Sequence, residues 1–296
     1  METTRIVDGT LYARSAEPYA FDLRVHTLGH GHTEAGVLPR FAWHEVDRLS
    51  KQAQADYAAC LRDPEPLTQQ ELLERAVLNR DKAARRARTK VRRLAKFKGL
   101  TVLLTLTYRE NMVDRERMAR DLDVFIKRVR RVISGFEYVC VFERQKRGAW
   151  HAHIAVRRIL THYVQRGIMV KSYDLLRSMW RGVVGADNGN VDVSRNKRIA
   201  RSSAKLASYL SKYIGKTFDQ AEKHVNAYSA SGRDIPDAIR ERVICATQAE
   251  AIAKLWDLIQ PEMSGPVEFY QAYIDGGGYF CCLSPPERGK GPQRPQ

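Results

Sequence analysis

Between residues 99 and 215 the chain alternates strand and helix patterns in an order that few folds accommodate. Residues 100–108 are rich in apolar and β-branched side chains, as expected of a buried strand. A helical pattern begins after Asp114, and two strand-like runs then flank the polar turn at residues 144–148. A second helix, a short strand and a third helix follow. This order predicts an α+β fold, a ferredoxin/RRM-like antiparallel sheet with packed helices.

Charge narrows the class of partner. The chain has 50 Lys and Arg against 34 Asp and Glu, a net charge of +16, which favours a polyanionic partner. Nucleic acid is our first expectation, although a ribosome-associated or membrane-surface protein would share this charge. The five cysteines form no C-x-x-C pair, and no apolar run approaches the ~20 residues that span a bilayer. We therefore expect a cytoplasmic protein with reduced thiols and no membrane partner.

The composition predicts one catalytic domain with helical additions at both ends. Residues at the N-terminus carry scattered aromatics, histidines and prolines without a sustained period, so their structure is not predicted. The last residues are rich in Pro, Gly and charge, which is typical of a disordered tail. The predicted segments are an accessory region (1–66), a basic helix (67–98), the catalytic domain (99–235), a C-terminal accessory region (236–283) and the tail (284–296).

The predicted basic helix opens with Thr68 and Glu71 at the spacing of a capping box. Its second half, residues 82–98, carries nine Lys and Arg and no acid. A solvated helix face is one explanation, but unbalanced charge repels itself, and a phosphate backbone explains it better. The candidate nucleic-acid-binding residues are Arg85, Arg86, Arg88, Lys90, Arg92 and Arg93.

A candidate metal site lies on the predicted strand 150–156. Alternate side chains of a strand share a face, so His151 and His153 project together. The same parity on the preceding strand favours Glu143 as a third ligand, with Gln145 in reserve. Such ligands suit Mg²⁺ or Mn²⁺, and zinc is also compatible with them. The alternative is two ordinary histidines, as we assume for the glycine-flanked pair at residues 30 and 32.

A candidate nucleophile helix follows at about residues 202–215, which we expect Gly215 to close. Tyr209 and Tyr213 stand one turn apart, about 6 Å along the axis, so both hydroxyls can approach one phosphate. Lys212 and Lys216 occupy an adjoining stripe and supply positive charge. Alternatively, the tyrosines only pack with their apolar helix neighbours. The doubled Y-x-x-K spacing favours the first interpretation.

At these residues the chain resembles the HUH rolling-circle replication initiators. The resemblance is to the two-tyrosine type, represented by phage gene A proteins and plasmid Rep proteins. Three segments match in order: residues 103–108 look like the first motif, 150–156 like the histidine motif and 209–216 like the tyrosine motif. The similarity covers about residues 99–235. Two departures are the small Ala152 between the histidines and the absence of a P-loop motif.

The resemblance implies that His151 and His153 bind the metal and that Tyr209 or Tyr213 attacks a phosphodiester at an origin. Lys212 and Lys216 would hold phosphate. A 5′-phosphotyrosine and a free 3′-OH primer would result, and the second tyrosine would later allow a circle to be closed. The implied partners are single-stranded DNA or an origin hairpin, a host helicase and the replication machinery.

Two other interpretations remain open. An HUH transposase or conjugative relaxase would use the same chemistry on another substrate. A protein of a different class, a non-catalytic DNA-binding initiator or copy-control protein, would use the basic helix while its tyrosines only pack. A covalent protein–DNA adduct would distinguish the enzymes from the simple binder.

Overall fold

Two antiparallel sheets form the framework of the protein, one of five strands and one of six. This computed structural model describes residues 4–62, 67–194, 202–220, 226–262 and 265–286. Within those ranges, the side chains at positions 18, 60–62, 216–220 and 262 lie outside the description.

The helices of the described residues are α1 (Lys51–Arg62), α2 (Gln69–Phe97), α3 (Arg115–Val132), α4 (Ser172–Val184), α5 (Ser203–Gln220) and α6 (Gln248–Ile259). The strands are β1 (Thr4–Val7), β2 (Thr10–Thr27), β3 (Thr33–Arg48), β4 (Val102–Tyr108), β5 (Tyr138–Arg144), β6 (Trp150–Val156), β7 (His162–Gln165), β8 (Ile168–Lys171), β9 (Gly189–Ser194), β10 (Tyr228–Ala230), β11 (Ile239–Ile244), β12 (Glu268–Ile274) and β13 (Gly278–Ser284).

The five-stranded sheet has the order β10-β5-β6-β4-β9, and all its pairs are antiparallel. Strands β4, β5, β6 and β9 lie in the order expected of a strand-helix-strand-strand-helix-strand unit of the ferredoxin-like kind. The predicted α+β class with an antiparallel sheet and packed helices is therefore confirmed. Asp114 caps α3 and Thr68 caps α2 through a capping box with Glu71, both as predicted.

One face of this sheet is the main hydrophobic core. Leu104, Phe142 and Ile154 point to this face and pack beneath α3 and α4. The indole of Trp180 is fully buried and meets the Phe125 ring edge to face, with centroids 5.7 Å apart. Such an aromatic pair stabilises a core by about 0.5–1.5 kcal/mol beyond its area burial. Helices α3 and α4 thus hold the sheet rigid from one side.

Helices α2 and α5 cover the opposite face. Val141 and Ala155 on this face pack with Val91 of α2 and with Leu206 and Leu210 of α5, in a second cluster of buried residues. Further along β5 and β6 the same face carries polar side chains. The two helices therefore frame a polar patch at the end of an apolar layer.

Helix α5 is longer than predicted. We expected Gly215 to close it, but the helix continues through this glycine to Gln220. Gly215 has a packing role instead, because a side chain there would collide with the guanidinium of Arg88 from α2. The glycine lets the basic helix and the tyrosine helix approach closely.

The six-stranded sheet joins the two ends of the chain. Strands β1, β2 and β3 pair with one another, β13 and β12 extend the sheet from β3, and β11 pairs with β2. Helix α6 covers one face, where Leu255 and Ile259 pack with Leu23 and Val37. None of the helices in the described residues is long and apolar enough to cross a membrane.

This second sheet is the main difference from the sequence prediction. The additions do contain α1 and α6, but strands rather than helices dominate them. The prediction of a helix over about 236–259 was wrong in its first half, where β11 forms and α6 begins only after the N-cap Thr247. Strands β2 and β3 lack a regular alternation because their pairing shifts register twice, and Tyr19 between the shifted blocks has a φ of 62°. Ser284 ends β13, while positions 287–296 of the predicted tail lie outside the described residues.

A buried ion cluster joins the second sheet to α2. The fully buried carboxylate of Glu34 on β3 accepts hydrogen bonds from Arg92 (3.0 Å), Arg93 (2.9 Å) and Lys96 (3.0 Å). Burial would raise the pKa of the Glu34 carboxyl, but the hydrogen bond from Arg92 and the charge of Lys96 outweigh it and hold the pKa well below its usual range. The basic helix is therefore partly neutralised by an acid far away in sequence.

Replacing Glu34 should destabilise the whole chain. Glu34→Gln leaves three cations without their buried carboxylate, and breaking such a cluster costs about 3–5 kcal/mol. The free energy of unfolding in urea measures the loss. Glu45→Gln is the matched control on the exposed end of β3 and should change stability by less than about 0.5 kcal/mol. Equal stability of the two variants would contradict a structural role for the cluster.

Candidate functional site

The predicted metal-site residues share one face of the five-stranded sheet. Glu143 of β5 lies directly opposite His151 of β6, and His153 lies opposite Val141. Residues paired in this way point to the same side, so the three polar side chains continue the face that α2 and α5 cover. Ala152 points to the other face and is fully buried in the main core. The small residue between the histidines thus leaves the predicted alternation intact.

His153 is held by two partners. Its Nε2 donates to Oε2 of Glu143 at 2.8 Å, and the Thr105 hydroxyl lies 3.3 Å from Nδ1. Thr105 sits opposite His153 on the neighbouring strand β4. The sequence analysis did not single out Thr105, although it lies in the first motif of the resemblance. Its hydroxyl orients the imidazole, a role that outer-shell groups often have around a histidine ligand.

His151 has one satisfied and one unsatisfied ring nitrogen. The side-chain amide of Gln145 donates to Nδ1 at 3.1 Å, while Nε2 is shielded from solvent without a hydrogen-bond partner among the described residues. Burial, and then the neighbouring His153, lower the pKa of His151, so the ring is neutral at neutral pH. A buried, neutral and unpartnered imidazole nitrogen is an unusual group that a bound cation would satisfy.

The described residues contain no preformed cluster of three or more His, Cys, Asp and Glu side chains that could hold a metal. The direct hydrogen bond between His153 and Glu143 occupies two of the predicted ligand atoms. The donor types nevertheless fit a divalent cation, since two imidazole nitrogens and one carboxylate face the same patch. The fit rests on this donor set and on the unpartnered Nε2 of His151.

Helix α5 places both predicted nucleophiles against the histidine strand. The Tyr213 ring stacks on the His153 ring with centroids 4.4 Å apart, and the Tyr209 ring meets His153 edge-on at 6.1 Å. The hydroxyl of Tyr213 donates to that of Tyr209 at 2.6 Å. The two phenols and the two histidines that the sequence suggested therefore converge on one patch of the molecule.

The local surroundings keep the phenol of Tyr213 protonated. Burial and the hydrogen bond with Tyr209 raise the pKa of Tyr213 well above its usual range. A neutral phenol is a weak nucleophile, so any attack by this group requires added positive charge at the site. Lys212 is exposed on the same helix, whereas the side chain of Lys216 lies outside the described residues.

The predicted nucleic-acid-binding residues of α2 separate into three groups. Arg92 and Arg93 are bound to Glu34 and so are less available to phosphate than the sequence suggested. Arg88 packs over Gly215, close to the tyrosine turn of α5. Arg85, Arg86 and Lys90 line a separate cavity. Binding of DNA by any of the six stays a prediction.

One residue that supports the site was missed entirely. His32 was treated as part of a loop coincidence, but its ring is 1% exposed and joins three segments. Its Nε2 lies 2.6 Å from the hydroxyl of Ser203, the first residue of α5, and its Nδ1 lies 3.0 Å from the hydroxyl of Ser284. The tyrosine helix is thus anchored to the second sheet. No local sequence signal could show this, because Ser203 and Ser284 lie 171 and 252 positions away.

Comparison with known proteins gives one family match. Residues 101–218 match a family of replication-associated proteins, described by the terms ORF2 and gene 2 protein. The matched segment includes the histidine strand and the tyrosine helix, and it supports a role in the initiation of DNA replication. No curated protein and no solved structure matches the chain.

The buried His32 should make stability depend on pH. Burial, and then the charge of Lys96, lower the pKa of His32 from 6.5 to about 4. The folded state therefore favours the neutral ring, and its contribution is fully present above pH 6.5 and lost as the pH falls toward 4. In His32→Gln, the free energy of unfolding should fall by about 2–3 kcal/mol less over this interval than in the unaltered chain. The exposed His44→Gln is the control and should keep the original slope; an unchanged slope in His32→Gln would refute the assignment.

Proposed function

We propose that this chain is a rolling-circle replication initiator that nicks and rejoins single-stranded DNA through a tyrosine. The observation that carries the proposal is the packing of Tyr209 and Tyr213 on His153, within the segment that matches the replication-associated family. Two nucleophilic hydroxyls, two imidazoles and a carboxylate meet there on one face of a sheet. Packing alone does not account for a hydroxyl pair and an unpartnered imidazole nitrogen at the same place.

In the proposed reaction, a tyrosine hydroxyl oxygen forms a bond to phosphorus while the bond between phosphorus and the 3′ oxygen breaks. The phenol loses its proton, and the departing 3′ oxygen gains one, so a 5′-phosphotyrosine and a free 3′-OH result. The exposed ammonium of Lys212 lies one turn from Tyr209 and adds the positive charge that a phosphate needs. Rejoining is the reverse reaction with another 3′-OH, and it needs no external energy because the phosphodiester energy is retained.

Glu143, His151 and His153 would hold the cation, Mg²⁺ or Mn²⁺, with Gln145 and Thr105 orienting the two rings. Such a cation supplies charge that polarises a phosphate oxygen. The protein contributes the neutral state of His151, which burial favours, and the fixed orientation of His153. Both follow from positions on a rigid central strand that has neighbours on either side.

Two tyrosines at one site suit a reaction with two transfers. Their oxygens lie 2.6 Å apart, so either one can reach a phosphate held at the same place without a large movement of the helix. One tyrosine would carry the first covalent link while the other cleaves the regenerated origin. The substrate would be single-stranded DNA or an origin hairpin in a bacterial cytoplasm, and a host helicase would open the duplex. A transposase or relaxase with the same chemistry would differ only in its DNA substrate.

Substituting the tyrosines tests the chemistry. Tyr209→Phe and Tyr213→Phe should each retain some cleavage of a labelled single-stranded origin oligonucleotide, because the second hydroxyl remains. The double variant should form no SDS-resistant adduct, a loss of at least about 10³-fold. Tyr173→Phe, an exposed position on α4, is the control and should cleave normally. Full cleavage by the double variant would exclude this helix as the source of the nucleophile, and adduct-free binding by the unaltered chain would favour a non-catalytic initiator.

Removing a proposed ligand should separate cleavage from binding. His151→Ala should abolish cleavage and weaken Mn²⁺ binding, followed by paramagnetic broadening, while most of the DNA affinity remains because phosphate contacts elsewhere supply it. His162→Ala on the exposed strand β7 is the matched control and should bind Mn²⁺ normally. Normal Mn²⁺ binding by His151→Ala would rule out this ligand, and cleavage that survives a chelator would rule out the metal.

A further inference from the structure

A basic cavity lies on the side of α2 that faces away from the tyrosine helix. It has a volume of about 440 Å³ and lies between α2, β2 and the segment that leads into β11. On α2, Val91 and Leu94 pack toward α5, whereas the cavity-lining positions 85, 86, 89, 90 and 93 lie on the other side of the helix. The principal charged or polar lining residues are His26, Arg85, Arg86, Lys90, Arg93 and Arg240.

The cavity carries excess positive charge. Arg93 is bound to Glu34, but Arg85, Arg86, Lys90 and Arg240 have no ion-pair partner in the described part of the chain. Asp237 is the one acid in the lining, and it is exposed. Cations gathered around a cavity repel one another, and an anion bound among them would relieve that repulsion.

His26 reports this field independently. Its Nδ1 is shielded from solvent and has no hydrogen-bond partner among the described residues. Burial lowers the pKa of His26, and the charges of Arg93, Arg24 and Arg240 lower it further, while Glu34 opposes them. The ring thus sits in a positive potential that comes from several elements at once.

We propose that this cavity binds a backbone phosphate of the DNA strand, at a point outside the nicking site. The lining offers cations and the Thr89 hydroxyl, which are phosphate-binding groups, but no Phe, Tyr or Trp on which a base could stack. The exposed Arg85, Arg86 and Arg240 continue the charge beyond the cavity, as an extended strand requires. These features favour a strand over a free nucleotide. The inference rests on the proposed function for the identity of the strand, but it concerns binding and not chemistry.

Salt dependence of binding tests the cavity. Fluorescence anisotropy of a labelled single-stranded oligonucleotide is measured with the Tyr209→Phe/Tyr213→Phe chain, so that no cleavage intervenes. Adding Arg85→Gln, Arg86→Gln and Lys90→Gln should lower the slope of log affinity against log salt by about two, since each single-strand phosphate contact contributes about 0.7. Affinity at moderate salt should fall by about 10- to 100-fold.

A matched control removes the same charge from the same helix. Arg75→Gln, Arg80→Gln and Lys82→Gln also delete two arginines and one lysine from exposed positions of α2, outside the cavity. This control should leave the slope nearly unchanged. Ala238→Phe, which fills the cavity without altering charge, should weaken binding as the cavity triple variant does. Equal effects of the two triple variants, or normal binding by a folded Ala238→Phe chain, would overturn the proposal.

The source of the phosphate is decided by a third measurement. The oligonucleotide should raise the pKa of His26 in an NMR titration, with His26→Gln to assign the signal, whereas dATP at the same phosphate concentration should not. A comparable shift with dATP would replace the DNA strand by a free nucleotide and refute our assignment. Because the binding assay uses a chain that cannot cleave, loss of the cavity effect leaves nicking by the unaltered chain untouched. Conversely, binding through the cavity without any adduct from the unaltered chain would refute only the nickase.

Discussion

The packing of α5 on the five-stranded sheet is the contact on which the rest of the site depends. Leu206 and Leu210 press against Val141 and Ala155, and this apolar layer sets the height and rotation of the helix. The tyrosine turn then lies over His153 simply because it is the next turn along a rigid rod. A change of register in this layer would separate the phenols from the histidines without altering either motif.

The second sheet supports that arrangement from outside the matched segment. Glu34 binds α2 through three cations, and two residues earlier on the same chain His32 holds the start of α5. Both helices that frame the site are thus fastened to one strand entrance. Gly215 completes the arrangement by letting the Arg88 side chain lie flat against α5. The N-terminal region, whose role no motif revealed, is therefore part of what positions the candidate chemistry.

Local patterns predicted much of the core and part of the site. Strand parity placed Glu143 and His151 on one face, and the capping residue Thr68 marked the start of α2. The same reasoning failed where long-range pairing decided the outcome. Strand β11 was assigned to a helix because its short alternation is weak evidence beside a longer helical pattern, and only pairing with β2 makes it a strand. Thr105 was overlooked because its role appears only across the β4–β6 ladder.

The sequence by itself determined which chemical groups are present and which of them share a face, because the strand period of two and the helix period of 3.6 are local properties of the backbone. It thereby placed two imidazoles together on one strand and two phenols together on one helix. The tertiary structure alone decided that these two pairs meet, that Glu34 neutralises part of the basic helix, and that the remaining cations surround a cavity. Those outcomes depend on contacts between residues far apart in the chain, and the burial that drives such contacts has no period that a sequence displays.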